Sequence, residues 1–328
     1  MKTIVTGGAG FIGSHLTERL IGDGHQVTVL DDLSTGRRHN LKDIEGSSKL
    51  AFLNIDVSNF DSICGYFKDV DWVFHLAALA DIVPSITHPR KYHHSNVEST
   101  VAVLEASRIN RVKKFVYAAS SSCYGIPDIY PTPETASIQP QYPYAFTKYI
   151  AEQYVLHWHR IYRLPFVSLR LFNVYGLRSR TTGAYGAVIG VFLAQKLNQL
   201  PFTIVGDGQQ KRDFIFVSDI VDAFVKAASS QIESGVFNVG SGQPQSINKL
   251  ASLLGADKKI YIPKRPGEPD STWADITKIK EELGWRPQIS FEQGIKLILE
   301  NIDYWRDAPA WTPEKIEEAT KEWFRCLS

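Results

Sequence analysis

Tyr144 and Lys148, together with the serine cluster Ser120, Ser121 and Ser122, could perform acid–base chemistry. Residues four apart lie on one face of a helix, so this pair could present a phenol and an ammonium group to the same ligand. A nearby cation lowers the pKa of a phenol because it favours the charged form, and a serine hydroxyl can hydrogen-bond the same substrate oxygen. The spacing alone is weak evidence, since any long helix can contain it on a solvated face. It predicts a base for an alcohol only if the chain also binds a hydride acceptor.

The N-terminal segment has the pattern of such a binding site. Residues 2–6 read as a buried strand, which leads through the glycine-rich turn of residues 7–13 into an amphipathic helix. Glycines at this spacing let the backbone turn tightly and approach a pyrophosphate at the helix N-terminus. A second strand ends in Asp31, where a carboxylate accepts hydrogen bonds from the adenosine ribose. The order of these features predicts NAD and disfavours NADP, although Arg37 and Arg38 weaken that preference.

Three further apolar runs, at residues 50–55, 72–76 and 113–118, predict more strands of a parallel sheet. Each run ends in small or polar residues, at the edge where ligands bind in open α/β sheets. The predicted fold is therefore α/β: a doubly wound parallel sheet of the Rossmann type with a smaller, interwoven α/β substrate lobe. We assign residues 1–172 to the cofactor-binding domain, with residues 214–240 returning to it. Residues 173–213 and 241–328 are assigned to the second lobe and the C-terminal tail.

Composition and charge disfavour several classes of protein. The 328 residues include 36 Lys and Arg against 35 Asp and Glu, a net charge of +1, which offers no broad attraction to nucleic acid or an anionic membrane. No apolar run approaches the roughly 20 residues of a membrane span, and the N-terminus lacks the pattern of a signal peptide. Three cysteines are too few for a disulfide framework or a zinc site. We expect a cytoplasmic protein with no metal.

Two long helices are predicted at residues 90–110 and 144–163. Their outward apolar positions could pair with a second subunit, so we predict a homodimer. A further helix is predicted in the tail, where Thr312 is a suitable cap and Pro313 a suitable first residue. The apolar face of this helix would consist of Ile316, Ala319, Trp323 and Phe324. We expect it to dock on the body of the protein, with binding to a partner as the alternative.

Six segments of the chain, taken in order, resemble the extended short-chain dehydrogenase/reductase family, and within it the nucleotide-sugar 4-epimerases that act on UDP-glucose, UDP-galactose or UDP-N-acetylglucosamine. The segments are residues 7–13, 119–125, 144–148, 170–176, 212–219 and 265–275. The resemblance implies that Tyr144 is the base and that Lys148 lowers its pKa while binding the nicotinamide ribose. It implies that Ser120 and Ser122 contact the sugar 4-hydroxyl.

The motifs and the resemblance together predict the residues that bind the two ligands. The predicted NAD-binding residues are Gly7, Gly10, Phe11, Ile12, Gly13, Asp31, Asp32, Leu33, Ser34, Thr35, Gly36, Asp56, Val57, Leu76, Ala77, Ala78, Ala80, Asn96, Tyr144 and Lys148. The predicted substrate-binding residues are Asp81, Ser120, Ser122, Tyr144, Asn173, Ala187, Val188, Thr203, Val205, Arg212, Arg265, Glu268 and Thr272. Among these, Asn173 and the two arginines would hold the diphosphate, since guanidinium groups bind phosphate oxygens in a fork.

Three departures from the family patterns narrow the implied reaction. The 4,6-dehydratases have Asp-Glu where this chain has Ser121 and Ser122, which disfavours dehydration. Ala80 replaces an active-site lysine of the bacterial galactose epimerases. The loop of residues 79–85 resembles more closely that of the epimerases that act on N-acetylhexosamines. Thr272 occupies a gate where a large tyrosine would exclude a bulky 2-substituent, so an N-acetyl group should fit.

The implied function is the NAD-dependent inversion of C4 of a UDP-hexose or UDP-N-acetylhexosamine through a transient 4-keto intermediate. Two enzyme alternatives share the first half-reaction: a C4 dehydrogenase that releases the keto sugar, and an epimerase that acts at another carbon or on a GDP- or CDP-sugar. A non-catalytic NAD-sensing protein is a further alternative. Such a protein could dispense with the base, so the intact Ser120, Tyr144 and Lys148 argue against it.

Overall fold

A computed structural model describes residues 1–179 and 188–327. The strands in this part of the chain are β1 (Lys2–Thr6), β2 (Gln26–Asp31), β3 (Leu50–Asn54), β4 (Trp72–His75), β5 (Lys114–Ser120), β6 (Phe166–Leu171), β7 (Asn173–Tyr175), β8 (Phe202–Val205), β9 (Lys211–Arg212), β10 (Phe214–Phe216), β11 (Ser234–Val239), β12 (Gln245–Ser246) and β13 (Lys259–Ile262). The α-helices are α1 (Phe11–Gly22), α2 (Phe60–Ile63), α3 (Ile82–Thr87), α4 (Pro89–His93), α5 (Ser99–Ile109), α6 (Pro143–Tyr162), α7 (Val188–Leu197), α8 (Val217–Ser229), α9 (Ile247–Leu253), α10 (Thr277–Leu283), α11 (Phe291–Glu300) and α12 (Pro313–Leu327). Short 3-10 helices lie at Arg38–Ile44, Cys64–Phe67, Ser121–Tyr124 and Ile302–Trp305, and a π-helical turn lies at His94–Glu98.

The large sheet has seven parallel strands in the order β11-β6-β5-β4-β1-β2-β3. The chain winds outward from β1 in both directions, so the strand order reverses between β1 and β4. In open α/β sheets ligands bind at such a switch point, outside the carboxyl ends of the strands. The predicted doubly wound parallel sheet is therefore confirmed, and its switch point lies directly after the glycine-rich turn.

Helices cover both faces of this sheet. Successive side chains of a strand point to opposite faces, so Val5 packs in one core cluster and its neighbour Ile4 in the other. Leu16 of α1 and Phe224 of α8 belong to the first cluster, and Val155 of α6 belongs to the second. Because both faces are buried, the strands are apolar throughout, which explains the continuous apolar runs in the sequence.

The second lobe has a core of its own and is built from three strand pairs. β7 pairs with β10 and β8 with β13, both in parallel, whereas β9 pairs with β12 in the antiparallel sense. Phe192, Phe202 and Trp305 are buried in the core cluster of this lobe. The chain then returns to the large sheet through β11, so the two lobes are interwoven. The predicted residue boundaries between the lobes stay a prediction.

The predicted long helices and the tail helix are present, with small differences in their limits. The segment predicted as one helix over residues 90–110 consists of α4, the π-helical turn and α5, and the second predicted helix is α6. Helix α12 begins at Pro313, as predicted, and buries Ile316 and Trp323. The prediction that the tail helix docks on the protein is confirmed. Among the described residues, no helix is long and apolar enough to cross a membrane.

Candidate active site

The glycine-rich turn lets the start of α1 approach the strands closely. Gly7 has a φ of +69°, and a Cβ at this position would lie 2.8 Å from the backbone nitrogen of Ala77. A Cβ on Gly13 would lie 2.1 Å from the carbonyl oxygen of Gly7. A side chain cannot fit at either position without displacing backbone. The turn therefore leaves a cradle at the N-terminus of α1, where backbone N–H groups can meet phosphate oxygens.

A cavity of about 370 Å³ lies along the carboxyl ends of the strands in front of this turn. The predicted cofactor residues that line it are Gly7, Gly10, Phe11, Ile12, Gly13, Asp31, Asp32, Ser34, Thr35, Asp56, Val57, Leu76, Ala77, Ala78 and Ala80. Asp81, predicted to bind substrate, also lines the cavity. The structure thus brings together the segments after β1, β2, β3 and β4, as expected for an extended dinucleotide.

Asp31 is buried at the end of β2, and its carboxylate is held by backbone donors. The N–H groups of Ala9 and Leu33 both donate to it, at 2.9 Å each. Burial raises the pKa of Asp31, and these two hydrogen bonds oppose the rise. A Cβ on Gly36 would lie 2.7 Å from the same carboxylate. Leu33 and Gly36, predicted to bind the cofactor, therefore support Asp31 and do not line the cavity themselves.

Asn96 is buried behind the cavity and does not line it. Its amide group accepts a hydrogen bond from the Leu79 N–H (2.8 Å) and donates one to the Leu79 carbonyl (3.0 Å). The same amide nitrogen donates to Thr147 Oγ1 on α6 (3.0 Å). Asn96 thus joins the loop after β4 to the helix that carries Tyr144 and Lys148. Its contacts give Asn96 itself a positioning role, while Ser95 and Ser99 of the same helical segment line the cavity.

The predicted base lies in the first turn of α6 beside the carboxyl end of β5. Tyr144 hydrogen-bonds with Ser120, and the hydroxyl oxygens of Ser120 and Ser122 are 2.8 Å apart. The ring of Tyr142 stacks on the Tyr144 ring with their centroids 6.4 Å apart, and Tyr92 meets it edge to face. The structure therefore brings the phenol and both predicted serines together inside an aromatic enclosure.

Lys148 lies one turn after Tyr144 and is buried. Its Nζ atom is 4.3 Å from the centroid of the Tyr117 ring, within cation–π distance. Burial lowers the pKa of Lys148 to about 7, and the charge of Glu152, one turn further along the helix, opposes this fall. Glu152 is itself buried and accepts hydrogen bonds from Ser168 (2.7 Å) and Arg170 (2.7 Å). Glu152, one turn beyond the lysine, is thus held in place by an ion pair with Arg170.

The pKa of Tyr144 differs from the expectation. The sequence predicts a pKa lowered by Lys148, whereas in the structure burial raises the pKa of Tyr144. The hydrogen bond from Ser120 opposes the rise, and the nearby carboxylate of Asp81 adds to it. Burial therefore dominates the pKa of Tyr144. This part of the prediction was wrong, because a four-residue spacing gives no measure of burial.

The predicted diphosphate-binding residues lie in the second lobe, where both arginines already have partners. Arg212 forms a salt bridge with Glu268 (3.1 Å) and donates to the carbonyl oxygen of Pro269 (3.0 Å). The guanidinium carbon of Arg265 lies 5.8 Å from the centroid of the Trp323 ring. The loop that contains Arg265 and Glu268 thus connects Arg212 to the tail helix.

The remaining predicted substrate residues also lie in the second lobe or at its edge. Thr272 donates to Asn173 Oδ1 (2.6 Å), and Thr203 on β8 is held by the amide of Gln195 (2.9 and 3.0 Å). Val188 is the first residue of α7, and Val205 is the last of β8. Ala187 lies outside the described residues.

Asp213 lies between β9 and β10 and is buried. Its carboxylate accepts hydrogen bonds from the backbone N–H groups of Ser241 (2.6 Å), Gly242 (3.1 Å) and Ala274 (2.9 Å), and from the Ser241 hydroxyl (2.6 Å). Burial raises the pKa of Asp213, and these hydrogen bonds oppose the rise. One carboxylate therefore fixes the turn after β11 and the segment that carries Thr272 beside Arg212.

Several cavity residues were missed by the sequence reasoning. Arg178 and Tyr304 line the cavity, although they come from distant segments, and Arg37, which the sequence had associated with the choice between NAD and NADP, lines it as well. Arg178 also forms salt bridges with Glu18 (2.9 Å) and Asp43 (3.6 Å). A single arginine or tyrosine outside a motif has no local signal, so only the fold identifies these residues. In the described part of the chain no three His, Cys, Asp or Glu side chains are grouped as a metal site would require.

Comparison with known proteins decides the family. A sequence profile of the NAD dependent epimerase/dehydratase family matches residues 3–240. The chain belongs to this family. The matched region contains the glycine-rich cradle, Ser120, Tyr144 and Lys148, and the cradle has room for a pyrophosphate only because it lacks side chains. This member of the epimerase/dehydratase family is therefore an NAD-dependent enzyme, as the resemblance implied.

Three proteins similar to this epimerase/dehydratase family member are named for an activity or were solved with a ligand. The UDP-glucose 4-epimerase of Mycolicibacterium smegmatis is 39% identical over 308 residues, which cover 92% of this chain and 98% of the relative. The solved UDP-N-acetylglucosamine 4-epimerase of Methanobrevibacter ruminantium, in complex with UDP-N-acetylmuramic acid, is 35% identical with a TM-score of 0.86, covering 92% of this chain and 98% of that one. The Thermus thermophilus UDP-glucose 4-epimerase, in complex with NAD, is 33% identical with a TM-score of 0.83, covering 94% and 100%.

Proposed function

We propose that this chain is a UDP-sugar 4-epimerase that inverts C4 of a UDP-hexose or UDP-N-acetylhexosamine through a transient 4-keto sugar. The observation that carries the proposal is the grouping of Ser120, Tyr144 and Lys148 at the carboxyl end of β5, next to the predicted NAD cavity. The relatives named as UDP-glucose and UDP-N-acetylglucosamine 4-epimerases support the same reaction class.

In this proposal the side chains of α6 and β5 handle the proton. Tyr144 takes the proton of the sugar 4-hydroxyl and returns it after the keto sugar has rotated to present its other face. Ser120 and Ser122 hydrogen-bond the same oxygen. Bound NAD supplies the acceptor and donor of the hydride. Lys148 would bind the nicotinamide ribose, and its ammonium group would stabilise the charged phenol. General acid–base catalysis of this kind contributes about 10²–10⁴-fold to a rate.

The residues of the second lobe would hold the nucleotide firmly and the sugar loosely. Arg212, Arg265 and Asn173 are proposed to bind the diphosphate, which allows the keto sugar to rotate about that link and present its other face. Thr272 is proposed as the gate beside the sugar 2-substituent. Its side chain is small and already bonded to Asn173, so we propose that an N-acetyl group is accepted.

The proposed reaction differs from the family's dehydratases in the residues beside Tyr144. Ser121 and Ser122 occupy the 3-10 helix after β5, where a 4,6-dehydratase would need two carboxylic acids. We therefore do not expect loss of water from C5 and C6. A dehydrogenase would need its NADH reoxidised by another reactant, so without that reactant NADH would accumulate and absorb at its own band.

A homodimer through α5 and α6 is proposed as the assembly. Ile109 on α5 and Tyr154, Ile161 and Tyr162 on α6 expose large apolar side chains. These two helices pack beside each other on the same face of the sheet. Light scattering coupled to size exclusion should give twice the chain mass, and Ile161→Glu should halve that value; a monomeric wild type would remove this part of the proposal.

The reaction is tested by incubating the purified protein with UDP-glucose and with UDP-N-acetylglucosamine. We expect the 4-epimer of one or both in the NMR spectrum of the product, without a lasting rise at the NADH absorbance band. A stoichiometric rise in NADH with a released keto sugar would replace the epimerase by a dehydrogenase. Turnover only with a GDP- or CDP-sugar would change the nucleotide, and NAD binding without any turnover would support a sensing protein.

A further inference from the structure

The C-terminal helix α12 packs against the loop predicted to hold the substrate diphosphate. Trp323 is 2% exposed, and its indole N–H donates to the carbonyl oxygen of Pro266 (2.7 Å). The family profile ends at residue 240, so membership of the family assigns nothing to this helix. The role of the contact between Trp323 and Pro266 therefore depends on this chain's own residues.

The ring of Trp323 meets two further residues of the candidate site. One is Arg265, whose guanidinium carbon is 5.8 Å from the indole centroid. The other is Tyr142, whose ring centroid is 6.0 Å away at an interplanar angle of 46°. An indole is the best aromatic partner for a guanidinium group, because its face carries negative charge. One side chain therefore contacts a predicted diphosphate ligand and the residue that stacks on the predicted base.

Tyr142 connects this contact to the reaction centre. Its ring stacks on that of Tyr144 at an interplanar angle of 9°. Burial raises the pKa of Tyr142, and the charges of Glu268 and Arg212 also act on its phenol. Tyr142 therefore contacts both the base and Trp323 through its ring, and it lies near the charges of Arg212 and Glu268.

Phe324, the residue after Trp323 on α12, lines an open cavity beside the same loop. A cavity of about 560 Å³ is lined by Ile126, residues 264–270 and Phe324. It includes Arg265 and Glu268, both predicted to bind substrate. The start of the tail is tied to the same lobe, since Gln195, which holds Thr203, also donates to the carbonyl oxygen of Trp311 (2.7 Å). The tail thus contacts the second lobe at both of its ends.

We propose that α12 forms a wall of the nucleotide-sugar site and that Trp323 is a substrate-positioning residue, which holds Arg265 toward the diphosphate and Tyr142 against Tyr144. The inference rests on the proposed function, because it assigns the wall of that same site. A helix that merely covered the core would need only aliphatic contacts, such as those available to Ile316, which is also buried on α12. Trp323 instead offers an N–H group to the loop and a ring face to a cation.

The test compares three variants of the full-length, NAD-loaded protein. Trp323→Leu removes the ring and the N–H group, Trp323→Phe keeps a ring but removes the N–H group, and Ile316→Ala removes buried aliphatic volume from the same helix. The measurements are KM and kcat with the better UDP-sugar, the Kd of UDP by calorimetry, bound NAD and the melting temperature. UDP is used as a probe because its binding does not depend on turnover.

We expect Trp323→Leu to raise KM and the Kd of UDP about tenfold while kcat changes about threefold or less, since mainly ground-state binding is lost. Trp323→Phe should raise the Kd about threefold, and Ile316→Ala should lower the melting temperature while its Kd stays at the wild-type value. Bound NAD should be unchanged in all three. Equal increases of Kd in Trp323→Leu and Ile316→Ala would overturn the inference, because helix docking alone would then account for them.

Two further outcomes separate this inference from the proposed function. If Trp323→Leu does not fold, Trp323→Phe decides, and a wild-type Kd for UDP in that variant would overturn the positioning role. If the wild type binds UDP but does not epimerise, the proposed reaction fails while the Kd comparison still decides the role of Trp323. A wild type that does not bind UDP at all would overturn both.

Discussion

The cofactor cavity and the second lobe are built in different ways. Around the cavity, backbone N–H groups make the supporting contacts, such as the Gly7 N–H on the Leu30 carbonyl (2.8 Å) and the two amides on Asp31. The second lobe is held by side chains from distant segments, for example Thr272 on Asn173, which are 99 residues apart. A backbone cradle either fits its ligand or does not, whereas side-chain contacts can be changed gradually. We therefore expect substitutions in the first region to abolish function and substitutions in the second to tune it.

Gly13→Ala should give the largest effect, because the new Cβ would lie 2.1 Å from the Gly7 carbonyl oxygen. The backbone of the cradle cannot move without opening the turn, so we expect a protein that retains no NAD and has no activity. Bound nucleotide is measured by absorbance after the protein is denatured. Gly22→Ala is the matched control, since a Cβ there meets nothing within 4 Å. NAD retention in Gly13→Ala equal to that of the control would contradict an all-or-none cradle.

Tyr144→Phe should lower kcat by about 10²–10⁴-fold, the contribution expected of a general acid–base group. The phenol lies beside the cavity and not in its lining, so bound NAD should remain at the wild-type level. Tyr149→Phe, on the same helix, controls for the loss of a hydroxyl group from α6. Turnover within a few-fold of the wild type in Tyr144→Phe would remove this residue from the proposed mechanism.

Lys148→Met should stabilise the NAD-free protein at neutral pH. Burial lowers the pKa of Lys148 from its usual value to about 7, so the folded state disfavours its charge. The unfavourable free energy of the buried charge is fully present below pH 7, where Lys148 is protonated in both the folded and the unfolded chain. It is relieved as the pH rises toward the pKa of Lys148 in the unfolded chain, because the unfolded chain then binds more protons than the folded one. The variant should be more stable by on the order of 3 kcal/mol at pH 7.

Denaturant unfolding at pH 7, 8, 9 and 10 measures this effect. The stability difference between Lys148→Met and the wild type should shrink steadily over that range, while the exposed Lys68→Met should show no such trend. A constant difference would mean that Lys148 keeps an ordinary proton affinity in the folded chain. Loss of activity in Lys148→Met would accompany the gain in stability, as is usual when a strained group serves function.

Of these substitutions, Thr272→Tyr should have the smallest effect on activity, and we expect this effect to be a change in substrate specificity. A bulky gate should lower kcat/KM for UDP-N-acetylglucosamine by about 1–3 kcal/mol more than for UDP-glucose, the range that pocket volume can supply. Thr272→Val keeps the volume and loses the hydrogen bond to Asn173, so it separates size from polarity. An unchanged ratio of the two kcat/KM values in Thr272→Tyr would place the gate elsewhere.

The two regions also differ in how far the sequence could predict them. The glycine-rich turn and Asp31 carry local signals, because backbone approach and ribose contact each demand a residue type at a fixed spacing. The apolar face of the tail helix was likewise predicted, since burial follows helical periodicity. Arg178 and Tyr304 reach the cavity from distant segments that contain no motif. Contacts of this kind arise only when the chain has folded.

Electrostatic properties were the least predictable part of the site. The spacing of Tyr144 and Lys148 predicted two interacting groups, but the pKa of Tyr144 depends first on burial, to which rings such as Tyr142 and Tyr92 contribute. Asn96 was likewise associated with the cofactor site, although its three hydrogen bonds hold Leu79 and Thr147 in place. In both cases the residue type was informative, while its role depended on neighbours that are distant in sequence.

The four hydrogen bonds on Asp213 have a consequence for motion. They join the residue between β9 and β10, the turn after β11 and the segment at Ala274 through one carboxylate. A hinge at this point would have to break several bonds to a buried charge at once, which costs far more than rotating an exposed linker. We therefore expect these three segments to behave as one rigid piece, so that a sugar nucleotide enters by local rearrangement of surface loops and not by opening at this point.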